Sequence, residues 1–450
     1  MPSKKPPRTA GSAQADPAPV NGARGPPHMQ GEFAVVGIGA SAGGLEACTR
    51  LLAALSPGGG LAFILVQHLD PTHESMMVDL LSEHTTLPVQ QAAHGMRLQA
   101  DHVYIIPPGT YLSVKAGMLR LSEPEARHGA RLPVDFLLRS LAEAYGTRAI
   151  CVILSGTGTD GCVGLKAVKE KGGLVIAQDP AEAGFAGMPR AAIATGAVDL
   201  ILPTAAIPAA LLRYARRIGQ VQGEPEEQEP AEAADWLPDI VDLLRRKTTH
   251  DFTLYKPGTL QRRVERRMAM ASIESDSMER YLDLLRQDPV ELDALARDLL
   301  INVTSFFRDP VVFDEMERRV VPELISACEP DRALRIWVAG CSTGEETYSL
   351  AMIFREQITA AQADIKLKVF ASDVDADAVA AARDGLYPDS ITATVSPARL
   401  AQFFTREEHG YRICQDLRAC VVFTVQDVLA DPPFSRLDLV SCRNLLIYLL

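Results

Sequence analysis

Apolar positions along the chain fall into short runs separated by amphipathic stretches. In the first half, FAVVGIGA, LAFILVQH, HVYIIPP, RAICVILS, GGLVIAQ and AVDLILP have strand length, and several are nearly continuous rather than alternating. Such runs suit strands buried on both faces. Between them GGLEACTRLLAAL, PVDFLLRSLAEAY and DGCVGLKAVKEKG carry helical spacing. The alternation predicts an α/β fold, a doubly wound and mostly parallel sheet with helices on both sides. YLSVKAGMLRLSE alternates with period two about Ala116 and Gly117 and predicts an inserted hairpin.

The second half begins differently. Residues 236–327 show apolar spacing at three and four, as in Leu260, Val264 and Met268, and predict helices. From Leu334 strand and helix patterns alternate again through LRIWVAG, EETYSLAMIFREQ, KVFASD, ADAVAAARDG, CVVFTVQD and LDLVSCRN, a second, Rossmann-like α/β unit. Residues 1–30 are rich in Pro, Ala and Gly without period and read as a disordered tail. GEPEEQEPAEAAD, residues 223–235, reads as an acidic linker. The predicted order is a tail (1–30), an α/β domain (31–218), a linker (219–238), a small helical domain (239–310) and a second α/β domain (311–450).

Composition narrows the function classes. At 450 residues, two or three domains are expected. The net charge of −12 argues against a chain built to hold nucleic acid. No apolar run reaches the ~18 residues of a membrane span, so no membrane insertion is expected. MPSKKPPRTAGSAQADPAP lacks the apolar core of a secretory signal. Eight scattered cysteines without a C-x-x-C pair read as reduced thiols, which makes a cytoplasmic protein the expectation. No metal site is expected.

Candidate chemistry sits where strands run into helices. In FAVVGIGASAGGLEA, Ser41 lies on a glycine-rich turn at the start of a helix, where backbone N–H groups can stabilise an oxyanion. Ser41 as a simple helix cap, or the glycines as a dinucleotide loop serving an oxidoreductase, are the alternatives. His68 ends the next strand, and Asp160 stands on a second glycine-rich turn, SGTGTDG. Asp160 alone reads better as a helix cap. Serine, histidine and aspartate at three strand ends form a stronger combination, since a triad is recognised by geometry and not by order.

The motifs GASAGG, VQH, LSGTGTDG and FAGMPR, in that order over residues 32–205, resemble the chemotaxis protein-glutamate methylesterases. The resemblance implies Ser41 as nucleophile, His68 as general base, Asp160 as the group that orients the imidazole, and an oxyanion hole lined by Ala42 and Thr157. It implies hydrolysis of glutamyl methyl esters on a methyl-accepting chemoreceptor, with glutamine deamidation in some members, in a signalling system that includes histidine kinases. Where the family often has G-M-G before the aspartate, this chain has Gly156, Thr157 and Gly158.

LRIWVAGCSTGEETYSL is again strand, small-residue turn and helix, and the next strand ends in Asp373 and Asp375, where an acidic group is placed for ribose hydroxyls. No glycine-dense phosphate cradle accompanies it, which favours an adenosyl ligand without pyrophosphate. YKPGTLQRRVERRM, NVTSFFRDP, WVAGCSTGEETYSLAM, FASDVDADAV and SCRNLLIYL resemble the chemotaxis protein-glutamate O-methyltransferases over residues 239–450. The resemblance implies that Asn302, Thr304, Arg308, Glu346, Asp373, Asp427, Val428, Arg443 and Asn444 contact S-adenosyl-L-methionine, with Tyr448 near the methyl acceptor. Asp427 and Val428 stand where the family commonly has Asn and Leu. More α/β structure follows in that family, so this half reads as truncated and its turnover as doubtful. Arg262, Arg263, Arg266 and Arg267 form a cationic helix face, either solvated or docking an acidic receptor helix. The expectation is a fused methylesterase and methyltransferase, with a non-catalytic scaffold and a nucleotide-dependent oxidoreductase as alternatives.

Overall fold

The computed structural model describes residues 33–67, 76–123, 132–220, 236–248, 250–271, 273, 277–300, 302–329, 332–408 and 410–450. The tail and most of the acidic linker foreseen from composition lie outside these residues.

The first half is built on seven strands: β1 (Ala34–Ala40), β2 (Leu61–Gln67), β3 (Val89–Gln91), β4 (Val103–Ile105), β7 (Ala149–Ile153), β8 (Leu174–Gln178) and β9 (Leu200–Leu202), with β5 (Tyr111–Lys115) and β6 (Met118–Ser122) forming the separate hairpin. The order is β3-β4-β2-β1-β7-β8-β9 and every pairing is parallel. Helices α1 (Gly44–Ala53), α2 (Met77–Ser82), α3 (Pro133–Tyr145), α4 (Cys162–Glu170) and α5 (Gly187–Ala194) lie between them, and α6 (Ile207–Gln220) follows the last strand. Strand period two explains the continuous apolar runs. Val35 points into one core with Ile64, Leu138 and Leu165, while Val36 and Ile38 point into the other with Leu51, Phe63 and Leu211.

The glycines of β1 have a packing role. A Cβ on Gly37 would lie 2.9 Å from Leu138 Cδ2, and one on Gly39 would lie 2.5 Å from Val134 Cγ1. They let α3 settle onto the strand. The turn needs Gly43, whose φ of +70° opens α1, and Gly44, where a Cβ would lie 2.6 Å from Ala40 Cβ.

Four helices follow, α7 (Leu237–Lys247), α8 (Pro257–Met270), α9 (Met278–Gln287) and α10 (Pro289–Leu300), around a core that holds Leu260, Val264 and Met268 as their spacing foretold. Short helices α11 (Pro310–Glu315) and α12 (Val321–Ser326) lead into β10 (Leu334–Ala339), α13 (Glu345–Ala360), β11 (Leu367–Asp373) and α14 (Ala376–Asp384). A small antiparallel sheet of β12 (Leu386–Tyr387), β13 (Phe404–Glu407) and β14 (Gly410–Ile413) is inserted before β15 (Val421–Val425) and β16 (Leu439–Ser441). The order β15-β11-β10-β16 is parallel throughout. Both parallel sheets therefore reverse direction of travel beside their first strand, and in such sheets ligands bind at the carboxyl ends next to that reversal.

Candidate functional site

In the first sheet the reversal lies between β1 and β7. Ser41 follows β1, is partly exposed, and its N–H donates to the carbonyl of Ser155 at 3.0 Å. Ser155 fixes the turn a second time: its Oγ donates to Ala42 O and accepts from Phe185 N, both at 2.9 Å. Its own N–H donates to Gln178 Oε1 at 2.8 Å, and Gln178 Nε2 donates to Thr204 Oγ1 at 2.9 Å. These buried polar groups lash the serine turn to β7, β8 and the segment before α5. Gly156 abuts the same spot, since a Cβ there would lie 3.0 Å from Ser41 Cβ and closer still to Met188. The N–H groups of Ala42 and Thr157 donate to no acceptor among the described residues, as an oxyanion hole needs.

Asp160 is 4% exposed and accepts from Val134 N at Oδ2 and Asp135 N at Oδ1, both at 3.0 Å. Pro133 opens α3 without an N–H, so Asp160 takes the next two free donors of that helix. Asp135 returns the arrangement: its Oδ1 accepts from Val163 N at 2.9 Å and Gly164 N at 2.6 Å, the matching donors of α4. Burial, reinforced by the Asp160 charge, pushes the Asp135 carboxyl up to about 7. The cap reading of Asp160 thus has substance, but for α3 and not for the helix that follows it. His68 lies outside the described residues. Its predecessor Gln67 pairs in register with Ala40, the predecessor of Ser41, and the buried Gln67 Oε1 has no hydrogen-bond partner.

In the second sheet a cavity opens at the carboxyl ends of all four strands. Asn302, Thr304, Arg308, Glu346, Asp373, Asp427, Val428, Arg443, Asn444 and Tyr448 all line it. Asp373 ends β11 and is held by Ser342 N at 2.7 Å and Asp375 N at 3.0 Å, while burial raises its pKa above the ordinary carboxylate value. Glu346 accepts from Ser441 Oγ at 2.6 Å and Arg443 Nη1 at 3.3 Å. Asn302 donates to Asp375. Gly340, at φ +71°, brings the backbone against Leu445.

Tyr255, Ser342 and Gln426 are among the cavity residues that had no role assigned from the sequence. Tyr255 belongs to the YKPG motif and forms an antiparallel bridge with Leu449, so the helical domain closes one wall. Buried Gln426 Oε1 has no partner. An orphaned acceptor, a fixed carboxylate at the second strand end and a close backbone approach together fit a polar adenosyl ligand.

The four arginines of α8 do not form one docking face. Arg263 and Arg266 are 5% exposed. Arg266 donates to Asp298 at 2.6 and 2.7 Å, to Gly173 O at 3.1 Å and to Asp199. Arg263 donates to the carbonyls of Lys169 and Glu170 at the end of α4, and Arg267 pairs with Glu291. Asp199, Lys169 and Glu170 belong to the first half, so this face is turned inward onto the neighbouring domain. Burial alone would raise Asp298, but Arg266 and then Lys169 hold its carboxyl well below the usual range. Of the four, Arg262 is exposed.

Among the described residues no helix is long and apolar enough to cross a membrane. Comparison with known proteins accords with this geometry. The CheB methylesterase family matches residues 36–211, the all-alpha domain of CheR methyltransferase residues 237–300, and its SAM binding domain residues 302–450. An uncharacterized 104.1 kDa protein of Rhodobacter capsulatus is 41% identical over 83% of this chain and 41% of its own length. A protein-glutamate methylesterase/protein-glutamine glutaminase of Anaeromyxobacter dehalogenans is 39% identical over 40% of this chain and 53% of its own. The protein-glutamate methylesterase FrzG of Myxococcus xanthus is 38% identical over 40% and 55%. The chain thus spans about half the length, or less, of these relatives. Residues 36–211 belong to the CheB methylesterase family, and residues 237–450 are the all-alpha and S-adenosylmethionine-binding domains of the CheR methyltransferase family.

Proposed function

We propose that the chain is a bifunctional chemotaxis-type enzyme that removes methyl groups from receptor glutamates with one half and adds them with the other. What supports the reading is that the described motif residues, Ser41 and Asp160 in one half and the cavity residues in the other, follow the carboxyl ends of strands in two separate parallel sheets, each beside its point of reversal. In the first half Ser41 Oγ attacks the ester carbonyl as His68 takes its proton, Asp160 orients His68, and the free N–H groups of Ala42 and Thr157 hold the oxyanion. Methanol leaves, and water releases the glutamate carboxylate from Ser41. A glutamine side chain would follow the same route with ammonia as leaving group.

In the second half, S-adenosylmethionine supplies an electrophilic methyl group when bound. Asp373 would receive ribose hydroxyls, and Glu346, Arg308 and Arg443 line the same cavity. A receptor carboxylate is already a sufficient nucleophile, so Tyr448 and the cavity wall act by positioning it. The partner is accordingly a methyl-accepting chemoreceptor or similar signalling protein, in a cytoplasmic pathway with histidine kinases.

The test of the hydrolytic half is release of labelled methanol from a receptor fragment carrying tritiated glutamyl methyl esters. Ser41→Ala should lower release by roughly a thousandfold or more. Equal release by both proteins sinks the triad and favours a non-catalytic scaffold.

A further inference from the structure

The two halves meet along α4, and the contact reaches into the cavity of the second sheet. Lys166, Lys169 and Glu170 stand three and four residues apart, on one face of that helix. Glu170 forms an ion pair with the guanidinium of Arg308. Lys166 Nζ donates to the carbonyl of Thr304 at 3.1 Å and lies 3.7 Å from Glu345 Oε1. Both ion pairs are largely shielded, with no side chain in them more than about a quarter exposed. Arg308 and Thr304 line the cavity, whereas Lys166 and Glu170 belong to the other domain.

The segment between them is held from two sides. Arg308 Nη1 donates back to Val303 O at 2.8 Å, and Arg443 Nη2 donates to Arg308 O at 2.9 Å from within the cavity. From outside, α4 supplies an anion for the guanidinium and a cation for the Thr304 carbonyl. A guanidinium on a long flexible stem has several rotamers in water, and a fixed carboxylate selects one.

We propose that Glu170 and Lys166 of the methylesterase-type domain are positioning residues of the methyl-donor site, so that this site is completed by the domain that carries the opposing activity. The inference rests on reading the cavity as the S-adenosylmethionine site. It makes the 302–308 segment preordered for ligand only when α4 is docked. Removing either side chain moves the cost of ordering onto binding, about three- to tenfold in Kd for each.

The experiment titrates the full chain with S-adenosylhomocysteine by calorimetry. Glu170→Gln and Lys166→Met should each weaken binding by that factor, Glu170→Asp should recover part of the loss, and Asp283→Ala, which removes an exposed ion pair to Arg286, should leave Kd unchanged. Circular dichroism melting shows that each variant is folded. Glu170→Gln and Lys166→Met binding as tightly as wild type overturns the positioning role while the methyl-donor reading stands. Absence of binding by the wild-type chain overturns both.

Discussion

Ser155 shows how a single hydroxyl can build a reactive turn. It makes one hydrogen bond to the turn after Ser41 and one to the chain before α5, and its backbone carbonyl takes the Ser41 N–H. Ser155→Ala strands Phe185 N without its acceptor, at a cost of about 1–3 kcal/mol. The expected outcome is a fall in methyl-ester hydrolysis larger than the fall in urea midpoint explains, since the turn loosens at the nucleophile. Asp135 permits a pH test. Its carboxyl is raised in the fold to about 7, so its protonated form favours the native state. That contribution is full below the unfolded value near 4 and is lost as pH rises through about 7. Asp135→Asn keeps an oxygen for Val163 and Gly164 but cannot ionise. Unfolding midpoints from pH 5 to 8 should therefore decline more steeply for wild type than for the variant, and parallel curves would show that Asp135 is ionised throughout.

Elements were largely legible as hydrophobic runs, continuous in the first sheet where most strands are buried on both faces and alternating or shorter in the second, whose strands are partly exposed. Six of the seven strands of the first sheet, its hairpin and all four of the second sheet fall on those runs. The exception, Val89–Gln91, is three residues long with two glutamines and has no apolar run to read. The glycines of β1 read as turn-formers because spacing alone cannot say what packs against them. In the fold they make room for α3. Gly39→Ala should cost about 1–3 kcal/mol in urea unfolding by forcing Val134 aside, whereas a glycine serving only a nucleotide would tolerate it. Ten of the cavity residues were named from the motifs, but Tyr255 and Ser342 were passed over although they stand on quoted motifs, since a motif does not say which of its side chains face the ligand; Gln426 was passed over because an isolated glutamine after a strand carries no distinguishing pattern.

At the scale of the whole molecule, the arginines of α8 mislead in isolation because a buried interdomain charge and a solvated one have the same letters. Arg266 is 5% exposed and bonded to carboxylates from both halves. Arg266→Ala leaves Asp199 and Asp298 with less compensation, which costs about 3–5 kcal/mol when one partner of a buried pair is removed. The expected result is a calorimetric trace that splits into two transitions. A single cooperative transition in the variant would show that other contacts suffice to join the halves.

The face of α4 adds a constraint on how such a chain can change over generations. Each residue advances a helix by about 100°. A one-codon insertion or deletion between Gly161 and Lys166 would swing Lys166, Lys169 and Glu170 away from their partners while leaving Asp160 in place. Lineages that keep both halves joined should therefore show an indel-free stretch here, even where the surrounding letters drift.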